Sequence, residues 1–104
     1  MKVFFVIIGY MYFVYFLKST VNNKIYVGMT EKLPIERLKD HNLGSNKWTK
    51  QNGPFELLYY ERYYCKKDAF QREIFYKSGF GRKIRDIIII SSVPAKGRPA
   101  SGGG

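Results

Sequence analysis

The chain opens with apolar residues at nearly every position from Tyr12 to Lys18. β-Branched and aromatic residues in such a run predict a strand, and apolar side chains on both faces predict a central strand covered on both sides. Val21-Asn22-Asn23-Lys24 reads as a turn, because asparagine tolerates left-handed backbone angles. Ile25 to Met29 is then the second strand of a hairpin, with Ile25 and Val27 on one face and Tyr26 and Gly28 on the other. The rhythm changes after Thr30. Thr30 reads as a cap and Pro34 as the first turn of a helix reaching about Leu43, with Gly44 as its stop. Leu33, Ile35, Leu38 and Leu43 are its expected apolar contacts. Ser45 to Pro54 is a polar loop or short helix carrying Lys47, Trp48 and Lys50. Phe55 to Tyr60, extending toward Tyr63, is a third strand. Lys66 to Ser78 reads as a helix closed by Gly79, with Phe70, Ile74 and Phe75 partly inward. Gly81 to Ile90 reads as a last helix burying Ile84, Ile87 and Ile88, although its isoleucine run suits a strand equally. No internal repeat is present.

The ends carry different signals. Ser91 to Gly104 is rich in Ser, Pro and Gly and is expected to be disordered. Residues 1–11 form an apolar extension. The full run from Val3 to Leu17 admits three readings: strand, export signal or membrane anchor. As a helix it would span roughly 22 Å, short of the ~30 Å of a bilayer core. Phe16-Leu17-Lys18-Ser19-Thr20 makes a poor signal-cleavage site. Met11 is an alternative natural start. The reading is therefore one domain over residues 12–90, with membrane attachment disfavoured.

Charge narrows the class of partner. The 104-residue chain has 18 Lys and Arg against 8 Asp and Glu, a formal net charge of +10. That excess favours a polyanion, nucleic acid first and an anionic lipid surface second. Tyrosines and phenylalanines are interleaved with the cations, as in nucleic-acid grooves. Cys65 is the only cysteine, which excludes an internal disulfide and suits a reducing cytoplasm.

Candidate chemistry lies in a spaced polar set on this apolar frame. Tyr15 and Tyr26 stand on the hairpin strands, Arg37 and His41 lie four apart on one helix face, and Glu73 sits on a later helix beside Lys77. Cutting a phosphodiester requires deprotonated water, a neutralised pentacovalent phosphate and a stabilised leaving oxygen. One carboxylate holding Mg²⁺ serves the leaving side, and an arginine fork grips a non-bridging oxygen. A phenol near metal and cations would act as base if its pKa of ~10 were lowered. Each residue also has an ordinary reading. Tyrosines pack, Arg37 lies on a surface, His41 offsets its helix C-terminus, Gly28 ends a strand, and Glu73 pairs with Lys77.

Their order resembles that of the GIY-YIG nucleases, of the compact single-domain bacterial type related to the excision-repair incision subunit. Phe13-Val14-Tyr15 stands at the first motif, keeping its tyrosine but not its glycine, and Tyr26-Val27-Gly28 stands at the second. Glu36-Arg37-Leu38-Lys39-Asp40-His41-Asn42 resembles the helix where arginine precedes histidine by four. Lys67-Asp68-Ala69-Phe70-Gln71-Arg72-Glu73, followed by Lys77-Ser78-Gly79, resembles the helix bearing the metal-binding glutamate. Leu57-Leu58-Tyr59-Tyr60-Glu61 resembles the third strand. The resemblance covers about residues 12–88. Met29 and Thr30 stand where some members place a lysine, and Ile84 to Ile90 lacks the asparagine that many members carry beyond the glutamate helix.

The resemblance implies an α+β fold, a three-stranded antiparallel sheet flanked by helices. It implies DNA cleavage with one divalent cation, Mg²⁺ or Mn²⁺. Glu73 would bind the metal and Arg37 the phosphate. Tyr15 or Tyr26 would activate water, and His41 would orient a tyrosine or assist proton transfer. Gly28 would let the backbone pass close to substrate, and Lys77 would contact it. With no second DNA-binding domain in view, the expectation is structure-selective or weakly specific cutting, in repair, recombination or a mobile element, or activity with a protein partner. A non-catalytic nucleic-acid-binding module with the same fold is the alternative.

Overall fold

A computed structural model describes residues 11–92. The expectations for residues 1–10, and for the tail beyond residue 92, lie outside the described residues. The fold is α+β. Strand β1 (Tyr12–Ser19) lies between β2 (Ile25–Thr30) and β3 (Phe55–Tyr63), antiparallel to both. Four helices complete it: α1 (Pro34–Asn42), α2 (Lys47–Asn52), α3 (Lys66–Lys77) and α4 (Gly79–Ser92).

The unbroken apolar character of β1 follows from this position. Val14 and Phe16 bury one face under α3 and α4, with Val27, Ala69 and Tyr76. Tyr15 and Leu17 bury the other face, with Phe55, Leu38 and Trp48. A strand covered on both sides has no polar face, whereas β3 alternates half-buried and exposed positions toward its end. In the hairpin turn Asn23 takes φ 63°, the left-handed angle that asparagine tolerates.

Several expectations are corrected. Thr30 does not cap α1. Its Oγ1 accepts a hydrogen bond from the Lys32 amide in the preceding turn, while Leu33 is the N-cap, with extended backbone as the residue before a proline prefers. Leu33, Ile35 and Leu43 are exposed, so only Leu38 of the four expected apolar contacts packs inward; Pro34 and His41 are the buried residues of α1. Phe70 and Ile74 are also exposed; Ala69 and Tyr76 are the buried residues of α3. The isoleucine run is helical. Ile84, Ile88 and Ile89 pack on the sheet cluster and Ile87 faces outward. Ser78, not Gly79, caps α3, and Gly79 begins α4, while Gly44 ends α1 with φ +80°.

A network around Glu61 ties α3 to the sheet. From β3, its carboxylate accepts hydrogen bonds from Tyr59 and Tyr63, and from Tyr76 and Arg72 on α3. Burial alone would raise its pKa, but these four donors outweigh it and hold the carboxylate ionised. Arg72 also lies over the Tyr76 ring at 4.4 Å. Because Arg72 precedes Glu73, this clamp fixes the turn of α3 that carries Glu73.

Candidate active site

The hairpin and α1 bring the first four candidates together. Register pairs Tyr15 with Gly28, and Tyr26 reaches the same sheet face two residues earlier on β2. The Tyr15 and Tyr26 ring centroids lie 6.2 Å apart. A Cβ built on Gly28 would stand 2.4 Å from the Tyr15 hydroxyl oxygen and 2.9 Å from Cε1 of Tyr26. The close approach that Gly28 permits is thus that of the two phenols.

The i, i+4 spacing on α1 aims two side chains at one hydroxyl. Tyr15 donates to His41 Nε2 at 2.7 Å, and the Arg37 guanidinium reaches the same phenol oxygen and favours its ionisation. Arg37 is steadied by Asp40 at 3.4 Å. His41 is fully buried, with its ring 4.8 Å from that of Tyr26. Desolvation, then the Arg37 charge, pushes its pKa down to about 4, so it is neutral at pH 7. The neutral ring accepts from Tyr15 at Nε2 and turns Nδ1–H toward Ser45 Oγ at 3.3 Å. His41 is therefore part of the pocket and not merely a helix-end charge.

The lowered phenol pKa is corrected for Tyr15. Burial, and next the neighbouring Tyr26, raise it well above the ordinary tyrosine value, with Arg37 offsetting only part. Tyr15 is 1% exposed, whereas Tyr26 is only half-buried. Glu73 comes from the opposite layer. Its charge is close enough to oppose ionisation of Tyr15, and its side chain is 17% exposed beside Lys77 at 3.2 Å. Lys77 is more open and faces a groove with Tyr26.

The buried imidazole has a consequence for stability. An unfolded histidine takes up its proton near pH 6.5, but His41 in the folded chain does so near 4. Between those values the unfolded state binds the extra proton. The contribution is therefore complete above pH 6.5 and lost as pH falls toward 4, by on the order of 3 kcal/mol. Urea unfolding of wild type and His41→Gln across pH 4–7 checks this. The wild type should lose the additional stability on acidification, and parallel pH profiles would contradict it.

Comparison with known proteins decides the family. Residues 11–85 match the model of the GIY-YIG catalytic domain. The chain belongs to the GIY-YIG family. This GIY-YIG chain is 35% identical over 79 residues to the UPF0213 protein YazA of Bacillus subtilis, covering 75% of this chain and 77% of that protein. It is also 35% identical over 76 residues to a UPF0213 protein of Bacillus pumilus, covering 72% and 76%. A UPF0213 protein of Bacillus halodurans, solved by NMR, aligns at 28% identity with a TM-score of 0.48, covering 81% of this chain and 88% of that one. Membership places this GIY-YIG chain in a nuclease-type family, for which DNA is the implied substrate. No helix among the described residues is long and apolar enough to cross a membrane.

Trp48, Arg82 and Arg85, which line the groove beside Tyr26, have no place in the segments that carry the resemblance. Only the aromatic and basic character of the chain hinted at them.

Proposed function

We propose that this GIY-YIG chain is a structure-selective, metal-dependent DNA endonuclease. The observation that carries the reading is the convergence of Arg37 and His41 on the Tyr15 hydroxyl. A divalent ion fits the donors present. Mg²⁺ commonly takes one or two carboxylates and completes its shell with water and substrate phosphates, so the part-exposed Glu73 suffices as its protein ligand. A bound Mg²⁺ or Mn²⁺ would supply Lewis-acid stabilisation of the leaving oxygen.

The protein's own groups account for the rest. Arg37 lies 29% exposed and keeps fork donors beyond those turned to Asp40 and Tyr15, suited to a non-bridging phosphate oxygen. Tyr15 accepts a proton from the attacking water as its own proton passes to His41 Nε2, so no free phenolate has to form in the buried site. Both groups begin neutral, as the relay requires; the lowered imidazole pKa opposes the imidazolium that forms, and the negative charge of a phosphate bound at Arg37 would offset it. Tyr26, more open, positions the water. Lys77 holds Glu73 and adds positive charge toward the DNA. The exposed, unpaired Cys65 accords with a reducing cytoplasm as the setting.

Nicking of supercoiled plasmid and branched DNA, with Mg²⁺, with Mn²⁺ and with EDTA, tests the proposal. Cleavage is expected with either metal and none with EDTA. Arg37→Lys, which keeps the charge but loses the planar fork, is expected to slow cleavage roughly 10- to 100-fold. Salt-sensitive DNA binding without cleavage under either metal would contradict the proposal and match a binding module.

A further inference from the structure

We propose that the groove on the outer side of β2 seats an unpaired nucleotide, making single-stranded or flapped DNA the substrate class; the inference rests on the nuclease reading above. Among the described residues β2 is an edge strand. The groove has a volume of about 330 Å³, and Tyr26, Trp48, Lys77, Arg82 and Arg85 line it. Its two walls differ in chemistry. Trp48, half-buried, is anchored by Phe55, at 5.6 Å and an interplanar angle of 24°, and meets Tyr26 at 5.4 Å. This is a rigid aromatic surface. Lys77 and the two arginines of α4 form the opposite wall. Lys77 and Arg85 pair with Glu73 and Asp86, while Arg82 is exposed and has no carboxylate partner among the described residues.

A ligand for such a groove carries negative charge at one side and a flat apolar body at the other, which is the chemistry of a nucleotide. Bases within a duplex are stacked on one another, so only an unpaired base can lie against Trp48. The groove also connects to the candidate site through Tyr26. A second depression, of about 390 Å³, lies further along β2 at Met29 and Thr30 and contains Lys32, Arg37 and Lys66 beside one carboxylate, Glu31. Gly28 and Tyr15 lie between the two. A strand following β2 would thus meet cations on either side of Gly28.

Trp48 is the only tryptophan and reports occupancy directly. The full-length chain in EDTA is titrated with oligothymidylate, with a blunt duplex of equal length and with polyglutamate, following Trp48 emission. Oligothymidylate is expected to quench emission and to bind at least roughly tenfold more tightly than the duplex, with affinity falling as salt rises. Arg82→Glu, at an exposed position, should weaken oligothymidylate binding roughly tenfold or more while leaving thermal unfolding unchanged. Equal affinity for duplex and single strand, unquenched Trp48, or indifference to Arg82→Glu would overturn the proposal. Polyglutamate binding as tightly as oligothymidylate would also overturn it, assigning the edge to an acidic protein segment. Quenching without nicking would uphold the groove and refute the cutting assignment, and nicking without quenching would do the reverse.

Discussion

Gly28→Ala is expected to remove activity and to lower the melting temperature by more than ~10 °C. The added methyl group would stand 2.4 Å from the Tyr15 hydroxyl oxygen and 2.5 Å from its Cζ. The Tyr15 ring has no room to retreat, because it is 1% exposed and its hydroxyl is held by His41. Overpacking of this kind costs about 1–3 kcal/mol, and a buried hydrogen bond broken at His41 about 1–3 more. Each kcal/mol moves the midpoint of a domain this size by about 4–8 °C. Activity should fall even where the variant folds, since any accommodation displaces the phenol on which Arg37 and His41 converge. Thermal unfolding by circular dichroism and nicking of supercoiled DNA check both halves. A melting temperature within ~2 °C of wild type would show that the pocket is looser than this geometry.

Much of the fold was legible because burial is written into composition. A strand with no polar face must be central, and β1 is. Asn22-Asn23 and Pro34 mark a turn and a helix start through backbone constraints local to those residues. The contacts of α1 were less legible. Leu33, Ile35 and Leu38 look equally apolar, and only the docking angle decides that Leu38, Pro34 and His41 turn inward. The isoleucine run of α4 suits two structures by composition, and packing on the sheet chooses the helix.

For the site, the segments that carry the resemblance nominated each candidate, and the i, i+4 rule put Arg37 and His41 on one face. Protonation was not legible. The sign of the Tyr15 shift depends on how completely the sheet and α1 bury it, a tertiary property. The groove was hidden for a related reason. Trp48, Lys77, Arg82 and Arg85 come from three helices, and no sequence spacing joins them.

The second large effect belongs to Glu73. Glu73→Gln keeps the shape of the side chain and removes its charge. The residue is partly exposed and pairs only with Lys77 among the described residues, so the fold should survive. DNA affinity should be kept or slightly raised, because a negative charge is lost from a basic surface. Without the carboxylate, a divalent ion would lose the protein ligand proposed for it and the leaving oxygen its stabilisation, an expected loss of roughly 10³-fold or more in rate. The decisive measurement is single-turnover cleavage of a flapped DNA in Mg²⁺, with wild type and Glu73→Gln each saturating the substrate. Rapid cutting by the wild type and at least roughly 10³-fold slower cutting by the variant on equally bound DNA is the result this account predicts. Equal rates from the two proteins would contradict it.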